Sequence, residues 1–257
     1  MEKIDKSRFG WVGADPERRE EIARPSITFW RDAMGRLVKN KVALVCLIVI
    51  VLIILSCIVV PFFSPFTMRE QHLQELNQGF FTPCTDPDFE GTGAMHVFGT
   101  DKLGRDLLTR TFEGGRVSLL IAFAAVGVNL IIGMIYGGVS GYFGGMVDNI
   151  MMRIVEVVNG IPYMIVVVLL MMVLPRGIFT MVVAYATVGW TGMARLVRGQ
   201  CLSLKNQEFV VAAEAMGAKP ARIIRKHLLP NTLSVIIINV TLQVPSAIFT
   251  EAFLSYI

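Results

Sequence analysis

The chain has 257 residues, of which 54% are hydrophobic and only 17% are charged. Soluble globular domains carry about 25% charged residues and fewer apolar ones, so this composition excludes an ordinary soluble domain. The formal net charge of +4 does not indicate a nucleic-acid partner, because the charges are gathered in blocks between long uncharged runs. The sequence predicts an integral membrane protein.

The first region, residues 1–41, is predicted to be a cytoplasmic tail that ends in an amphipathic helix. It carries ten Lys and Arg residues against seven acidic ones, and positive segments next to membrane spans stay in the cytoplasm. Apolar and charged side chains alternate at helical spacing over Ser26–Lys41. We expect this helix to lie at the membrane interface with Trp30 as its anchor.

The first transmembrane helix is predicted over residues 42–60, which contain no charged side chain. As a helix, this run is about 28 Å long, close to the ~30 Å hydrocarbon core of a bilayer. It is not a signal peptide, because it starts far from the N terminus, is too long for an h-region and lacks a small-residue cleavage site.

The next segment, residues 61–115, is predicted to lie outside the cytoplasm. It carries eight acidic residues against four Lys and Arg, the reverse of the balance in the tail. Cys84 is its single cysteine, so no disulfide can form within it. No cysteine of the chain has metal-ligand spacing, and His72, His96 and His227 are far apart in sequence. We therefore expect no metal site.

A turn with the sequence FGTDKLGRD lies near the end of this segment. Its glycines favour a turn, and Thr100 or Asp101 is expected to cap the helix that follows. Asp101, Arg105 and Asp106 fit either a metal or substrate site or a hydrogen-bonded turn that holds the segment against the membrane domain. The turn is the favoured interpretation.

Residues 116–257 are predicted to form the main transmembrane domain, beginning with a span over about Val117–Val139. Glycines spaced by four place a smooth strip on one face of this region, which lets another helix approach closely. The glycines of the strip are Gly133, Gly137, Gly141 and Gly145. A short interior loop, GYFGGMVDNIMMR, is expected at its end.

Two further spans are predicted over about Glu156–Leu174 and Ile178–Ala194. Pro162 is expected to start or kink the first of them, because proline removes a backbone hydrogen bond. Glu156 and Asn159 are costly where they face lipid, so we expect them to face a cavity or a partner.

A fifth span begins near Thr232 and carries Asn239, Gln243 and Glu251. These polar residues fit two interpretations equally well, the lining of a water-filled translocation path or hydrogen bonds between helices. The sequence stops within an apolar run, EAFLSYI. We therefore expect the sequence to be truncated, either in the gene product itself or only in the stretch given.

The segment between the last two spans, residues 208–230, has a marked internal order. It overlaps a stretch with seven Lys and Arg against two acidic residues, which predicts a cytoplasmic position. Its alanines favour a short helix, on which Ala212 and Ala213 are expected to form a shallow surface for a partner. Gly217 suits the end of that helix, where a left-handed residue is common.

A second short helix is expected over Ala221–Leu228, with Pro230 either ending it or starting the next span. Two roles remain open for the 208–230 segment. It docks a cytoplasmic partner, or Arg222, Arg225 and Lys226 hold it against anionic lipid.

The sequence contains no GxxxxGK[ST], HExxH, GxSxG or CxxC motif. An enzyme is therefore not expected, and neither is a nucleotide-hydrolysing site within this chain. Several spans with scattered polar residues favour transport, and the energy for it would have to enter from a partner. A membrane-embedded enzyme is the weakest alternative.

The 208–230 segment resembles the EAA motif of the permease subunits of bacterial ABC importers. The matching residues are Ala212, Ala213, Gly217, Leu229 and Pro230. Two positions depart from that motif, because Val211 replaces a glutamate and His227 replaces an isoleucine. The stretches FGTDKLGRDLLTR, GYFGGMVDNIMMR, ARLVRGQCLSLK, RKHLLPN and EAFLSYI resemble, more narrowly, the C-type permeases of dipeptide and oligopeptide importers, a group that includes nickel permeases.

This resemblance implies an all-α, polytopic transmembrane helix bundle of the type I ABC importer kind, with five spans present and a sixth absent. It implies a multi-pass protein of the bacterial cytoplasmic membrane without a cofactor. The implied partners are a homologous second permease, two cytoplasmic ATPase subunits and an extracytoplasmic solute-binding protein. Peptides are the favoured cargo, and nickel or another small solute remains the alternative. A receptor or scaffold with a partner-binding loop is the alternative from a different class.

Overall fold

The computed structural model describes residues 29–89, 91–175 and 177–256. Residues 1–28 of the predicted 1–41 tail, the side chain of the predicted anchor Trp30 and the final Ile257 lie outside the described residues. The chain divides into two compact units, residues 1–53 and 54–257. Apart from two strands of two residues each, the regular structure of the described part is helical, which confirms the predicted all-α fold.

The first unit holds helix α1, Phe29–Lys39, and the first half of helix α2, Lys41–Phe63. An ion pair between Arg36 Nε and Asp32 Oδ2, 2.9 Å apart, spans one turn of α1. Asn40 separates the two helices, and its side-chain oxygen accepts a hydrogen bond from the amide of Ala43, which caps α2. Most apolar side chains along α2 are exposed, as expected for a helix surrounded by lipid.

A connector, residues 64–106, joins α2 to the next long helix. Its strands β1, Thr82–Pro83, and β2, Met95–His96, pair antiparallel with Thr82 opposite His96. A single 3₁₀ turn, Pro87–Phe89, lies between the strands. This short ladder brings together two parts of the connector that are distant in sequence.

Helix α3, Leu107–Phe143, has 37 residues and begins ten residues before the predicted span. Its N-cap is Asp106, whose carboxylate accepts from the amide and the hydroxyl of Thr109 at 2.7 Å each. The predicted cap at Thr100 or Asp101 was therefore wrong. Asp106 is the N-cap because its side chain reaches the free amide of the first helical turn.

The predicted interior loop GYFGGMVDNIMMR is helical instead, which corrects the sequence-based expectation. Helix α3 continues through Phe143, and helix α4, Gly145–Gly160, starts after the single residue Gly144. Gly144 has a φ of +64°, a left-handed conformation that glycine adopts without strain. Gly145 also has a positive φ, of +54°, so two consecutive glycines turn the chain.

The third predicted span is a bent pair of helices. Helix α4 ends at Gly160 and helix α5, Tyr163–Val173, leaves it at an angle of 76°. Pro162 is the N-cap of α5, where the missing amide proton costs nothing. Asn159 links α4 to the helix after α5, Ile178–Leu204, since its side-chain oxygen accepts from Thr191 Oγ1 at 3.0 Å.

Helix α6, Ile178–Leu204, is followed by helix α7, Glu208–Ala215, and helix α8, Pro220–Ile223. A π-turn, Ile224–Leu228, then leads directly into helix α9, Leu229–Tyr256. Helix α3 packs along α6 and also contacts α9. These three helices form the frame of the second unit.

Within the described ranges, three helices are long and apolar enough to cross a membrane: Lys41–Phe63, Leu107–Phe143 and Pro220–Tyr256. A fourth results if the bent pair α4–α5 counts as one broken span. The predicted fourth span forms the first part of α6, which is less apolar because threonines, glycines and arginines interrupt it. The polytopic membrane fold is thus confirmed, and the count of five spans stays a prediction.

Candidate functional site

The 208–230 segment is fixed to the membrane helices by a fully buried apolar cluster. Its members come from α6, from α9 and from the segment itself, and each is at most 2% exposed. They are Met193, Val197, Cys201, Val210, Ala213, Ile223, Leu228 and Ile236. Burying side chains of this size stabilises the segment against α6 and α9 by roughly 1.5–3 kcal/mol each. The segment therefore shares one packed interior with these two helices.

A polar contact adds a third attachment, to the end of α3. Tyr142 Oη donates a hydrogen bond to Glu214 Oε1 at 3.1 Å. The ammonium of Lys205 lies 5.7 Å from the centre of the Tyr142 ring, within the range of a cation–π interaction. Helix α7 is therefore in contact with α3 as well as with α6 and α9.

The turn after α7 is a Schellman motif. The amide of Ala218 donates to the carbonyl of Ala213 at 3.0 Å, and the amide of Gly217 donates to Glu214 at 2.9 Å. Gly217 has a φ of +79°, and a Cβ on it would meet nothing within 4 Å. Glycine is favoured here by backbone conformation alone, as the motif requires at this position.

Four small or apolar residues at α7 are exposed, and we call them the α7 face: Val211, Ala212, Ala215 and, directly after the helix, Met216. Glu208, Phe209 and Glu214 of α7 are exposed as well. Val211 is 53% exposed and Met216 is 82% exposed. The prediction that Ala212 and Ala213 together form a surface needs correction, because Ala213 is 2% exposed and belongs to the buried cluster. Neighbouring helical residues point about 100° apart, so one alanine faces outward while the other packs inward.

A cationic hollow lies next to the α7 face, with a volume of about 560 Å³. It is lined by Gly217, Ala218, Lys219, Ala221, Arg222 and Arg225. The Lys219, Arg222 and Arg225 side chains are exposed. An apolar face beside a positive rim suits a protein groove with acidic edges. The positive charge of the rim suits anionic lipid equally well. Charge alone therefore fits both roles predicted for the segment.

Pro230 does not end a helix, contrary to one of the two predicted alternatives. It is the second residue of α9, which agrees with the other alternative. The helical path is continuous from Pro220 to Tyr256. The amide of Leu229 bonds to the carbonyl of Ile224, five residues earlier. This wider π-turn directly before Pro230 accommodates a residue that has no amide proton. Leu229 is half-buried against the apolar cluster and Pro230 is exposed.

Three of the four predicted packing glycines lie in the contact between α3 and α6. A Cβ on Gly133 would lie 2.5 Å from Met193 Cβ, and one on Gly141 would lie 2.6 Å from Cys201 Cβ. A Cβ on Gly137 would collide with the carbonyl oxygen of Ala194. Gly145 is separate, because it begins α4 with a φ of +54° and open space around it.

The three polar residues predicted for a translocation path do not form one group. Gln243 Nε2 donates to Asn239 Oδ1 within α9 at 2.6 Å. Glu251 accepts from Ser118 Oγ of α3 at 2.6 Å, which is the interhelical bond of the second alternative. The cavity of about 550 Å³ nearby is lined by Val168, Met171, Met172, Gly177, Thr180, Met181, Leu254, Ser255 and Tyr256, and none of the three lines it.

An ion pair with one buried partner was missed by the sequence analysis. Arg198 of α6 binds both carboxylate oxygens of Asp148 in α4, and Ser140 Oγ of α3 donates to the same carboxylate at 2.5 Å. Asp148 is 6% exposed. The three residues tie three helices together next to the 208–230 segment, and their separation in sequence left no local pattern by which to find them.

The connector contains a second polar network, centred on His96. Its Nδ1 lies 2.9 Å from Asp106 Oδ1 and its Nε2 lies 2.9 Å from Glu75 Oε2. Burial raises the pKa of Glu75, but hydrogen bonds from Thr85 and His96 outweigh this effect and lower the pKa to about 2. The network holds the start of α3 against the connector.

Asp101 organises the FGTDKLGRD turn in the manner of the favoured interpretation. One of its carboxylate oxygens accepts from the amides of Leu103 at 2.8 Å and Arg105 at 3.0 Å, and Arg110 pairs with the other. Burial raises the pKa of Asp101, but the contacts with Arg105 outweigh this effect, and the net result is a pKa lowered to about 2. Asp101 thus acts as the centre of a structural turn.

Comparison with known proteins agrees with this arrangement. Residues 129–257 match the family described as "Binding-protein-dependent transport system inner membrane component", and residues 28–79 match "N-terminal TM domain of oligopeptide transport permease C". The oligopeptide transport system permease protein OppC of Bacillus subtilis is 45% identical over 257 residues, covering 100% of this chain and 80% of that protein. The dipeptide permease protein DppC of the same organism is 46% identical over 96% of this chain and 74% of its own length.

Among solved structures, an inward-facing form of the MetNI methionine ABC transporter matches 53% of this chain and 69% of its own, with 22% identity and a TM-score of 0.44. The two sequence relatives cover nearly the whole chain at well over 30% identity. This chain therefore belongs to the binding-protein-dependent inner-membrane permeases of ABC importers, as a member of their C-type group.

Proposed function

We propose that this chain is the permease subunit of an ATP-driven importer that moves dipeptides or oligopeptides across the bacterial cytoplasmic membrane. The similarity of the whole chain to proteins named for oligopeptide and dipeptide transport supports this cargo. The chain would work beside a second, homologous permease and receive its cargo from an extracytoplasmic solute-binding protein. Two ATPase subunits on the cytoplasmic side would supply the energy.

The observation that carries the coupling proposal is the split between the outer and inner sides of α7. The α7 face offers small and apolar side chains to a partner, while Val210 and Ala213 on the opposite side are fully buried in the apolar cluster that the segment shares with α6 and α9. A partner that moves α7 would therefore displace α6 and α9 with it, since close-packed interiors transmit displacement with little compression. This is how motion in an ATPase would reach the membrane helices.

The topology follows from charge. The 208–230 segment and the tail carry the excess of Lys and Arg, which favours a cytoplasmic position for both. The connector would then lie on the extracytoplasmic side, where a solute-binding protein docks. Ala212, Ala213, Gly217, Leu229 and Pro230 are proposed as coupling residues, with Ala212 in direct contact with the ATPase and Ala213 acting from the core.

The cargo is tested by uptake into proteoliposomes that contain the whole complex with its two ATPases and its binding protein. We expect ATP-dependent uptake of a labelled peptide, competed by unlabelled di-, tri- and longer peptides and unaffected by Ni²⁺. A complex that takes up Ni²⁺ and ignores peptides would overturn the peptide cargo. A complex that takes up neither, although its ATPases are active, would overturn the importer assignment.

A further inference from the structure

A histidine, a glutamate and a cysteine of the connector come together although they are spread over its sequence. One potential ligand atom from each of His72, Glu75 and Cys84 lies within 4.8 Å of those from the other two. His72 and Glu75 are each only 3% exposed, and Cys84 is a half-buried free thiol. Within the described ranges, this is the group of such residues whose geometry suits a metal ion.

His72 is oriented in the way that metal-binding histidines are oriented. Its Nδ1 lies 2.8 Å from Asp86 Oδ2, and its Nε2 is fully buried without a hydrogen-bond partner. The rings of Phe66 and Phe89 each pack edge-to-face with the His72 ring, with 5.4 Å between ring centres. A carboxylate on one ring nitrogen fixes the tautomer and leaves the other nitrogen free to coordinate. Buried ring nitrogens without any partner are rare, so this one calls for a ligand.

The other two residues are also held in place by their neighbours. Thr85 Oγ1 donates to Glu75 Oε1 at 2.7 Å, and the ring of His96 contacts the second oxygen at 2.9 Å. The amide of Cys84 bonds to the carbonyl of Ala94 at 2.9 Å, which continues the β1–β2 ladder and fixes the backbone below the thiol. The three donors therefore start from a pre-arranged framework.

We propose that His72, Glu75 and Cys84 bind one divalent transition-metal ion, for which Zn²⁺ is the best-fitting occupant, with Asp86 orienting the histidine. Nitrogen, oxygen and sulfur donors at about 2.0–2.3 Å are those that Zn²⁺ takes, in tetrahedral geometry. Neighbouring donors around such an ion are roughly 3.3–3.8 Å apart, so the three donors, which lie within 4.8 Å of one another, need to close by no more than about 1.5 Å. Three protein ligands leave the fourth position to water.

The donor set disfavours the hard cations Ca²⁺ and Mg²⁺, which take oxygen ligands. A bound ion would link His72 to Cys84, which directly follows β1. This link would stabilise the connector beyond what its hydrogen bonds provide. This proposal is independent of the cargo, because it concerns a fixed ion in the connector and none of the residues of the 208–230 segment.

The test is a metal titration of the purified, chelator-treated full complex. We expect Zn²⁺ to bind the chain in a one-to-one ratio, and Co²⁺ to bind with the absorption band of a thiolate-to-cobalt charge transfer. Cys84→Ser and His72→Gln should each remove this binding, and the cobalt band should vanish in the cysteine variant. Asp86→Asn should weaken the affinity for Zn²⁺ by about 10–100-fold, which is the usual effect of losing a residue that orients a metal ligand. Cys46→Ser and His227→Gln are the matched controls and should bind as the unaltered complex does.

Equal Zn²⁺ binding by Cys84→Ser and the unaltered complex would overturn the proposal, and so would a cobalt complex without the thiolate band. A second measurement needs no substitution at the site, and therefore does not depend on a variant that folds. In a Cys46→Ser background, maleimide labelling of Cys84 is followed with and without Zn²⁺. At least tenfold slower labelling with Zn²⁺ is expected, and an unchanged rate would contradict the site.

Discussion

The connector and the 208–230 segment are both excursions between long helices, but they are held by different forces. Side-chain hydrogen bonds and ion pairs organise the connector, around Glu75, His96 and Asp101. An apolar cluster shared with α6 and α9 holds the 208–230 segment, whose charged groups are mostly at its surface. Polar contacts are directional and tied to precise distances, whereas apolar packing is not.

This difference suits the two positions. A segment that receives a push from a partner needs a continuous packed connection to the helices it moves, and the cluster around Val210 and Ile223 provides that connection. A segment that presents a fixed outer surface needs a defined shape, and a network of short hydrogen bonds provides it. The following experiments break or sharpen this comparison, from the largest expected effect to the smallest.

The largest effect is expected from Ala212→Trp on the α7 face. The indole would block docking of an ATPase groove, so we expect peptide uptake to fall to background. The fold should be barely affected, by about 0.5 kcal/mol or less, because the side chain is exposed. Uptake by proteoliposomes and the thermal unfolding of the complex are measured together. Unchanged uptake with this variant would remove the coupling role from the α7 face.

Ala213→Trp is the matched variant one residue further along. Its side chain would enter the buried cluster, where overpacking costs typically 1–3 kcal/mol and sometimes more. We expect it to lower the unfolding temperature of the complex, unlike Ala212→Trp. Equal stability of the two variants would contradict the inside–outside division of α7 on which the comparison depends.

A smaller but measurable effect is expected from Gly133→Ala in the contact between α3 and α6. The added methyl would lie 2.5 Å from Met193 Cβ, so the helices must separate, at a cost of roughly 1–3 kcal/mol. Gly127→Ala in the same helix is the control, since a Cβ there meets nothing within 4 Å. Thermal unfolding in detergent should show a loss only for Gly133→Ala. Equal effects of the two substitutions would argue against a close contact.

Gly217→Ala tests the turn of the 208–230 segment, and we expect a smaller effect than that of Gly133→Ala. Open space surrounds the site, so the cost arises only from a φ of +79°, at about 1–2 kcal/mol for a residue with a side chain. Gly217→Asn should recover part of this loss, because asparagine tolerates the left-handed region better. ATPase activity stimulated by peptide-loaded binding protein is the measurement. If alanine and asparagine behave alike and as glycine does, the Schellman turn has no role in coupling.

The sequence was sufficient for the features that depend on local pattern. Composition and uncharged runs located α2 and the helices that contain the other predicted spans, and the spacing of small residues located Gly133, Gly137 and Gly141 in the helix contact. The position of Gly217 at the end of α7 followed from its conformational freedom. These features depend on residues that are neighbours along the chain or on one helix face.

Features that depend on distant residues could not be predicted. The inward position of Ala213 follows from where α6 and α9 lie, and the pairing of Asp148 with Arg198 follows from the crossing of α4 and α6. The continuity of the helix through Pro230 depends on a π-turn, for which IRKHL carries no recognised signal. His72, Glu75 and Cys84 meet because side-chain hydrogen bonds join His72 to Asp86 and Glu75 to Thr85, across a gap of ten or more residues.

The smallest effect is expected in the connector, from Asp101→Asn. The folded pKa of Asp101, about 2, lies below its ordinary value of 3.8. Its ionised form therefore stabilises the turn above pH 3.8, and this contribution is lost as the pH falls towards 2. At neutral pH, we expect asparagine to lower the hydrogen-exchange protection of the Leu103 and Arg105 amides by about tenfold, since charge-assisted hydrogen bonds contribute ~1.5 kcal/mol or more. Uptake should hardly change, because the polar network shapes the connector without linking it to α7. A large loss of uptake would instead show that the two excursions are coupled, and would break the comparison between them.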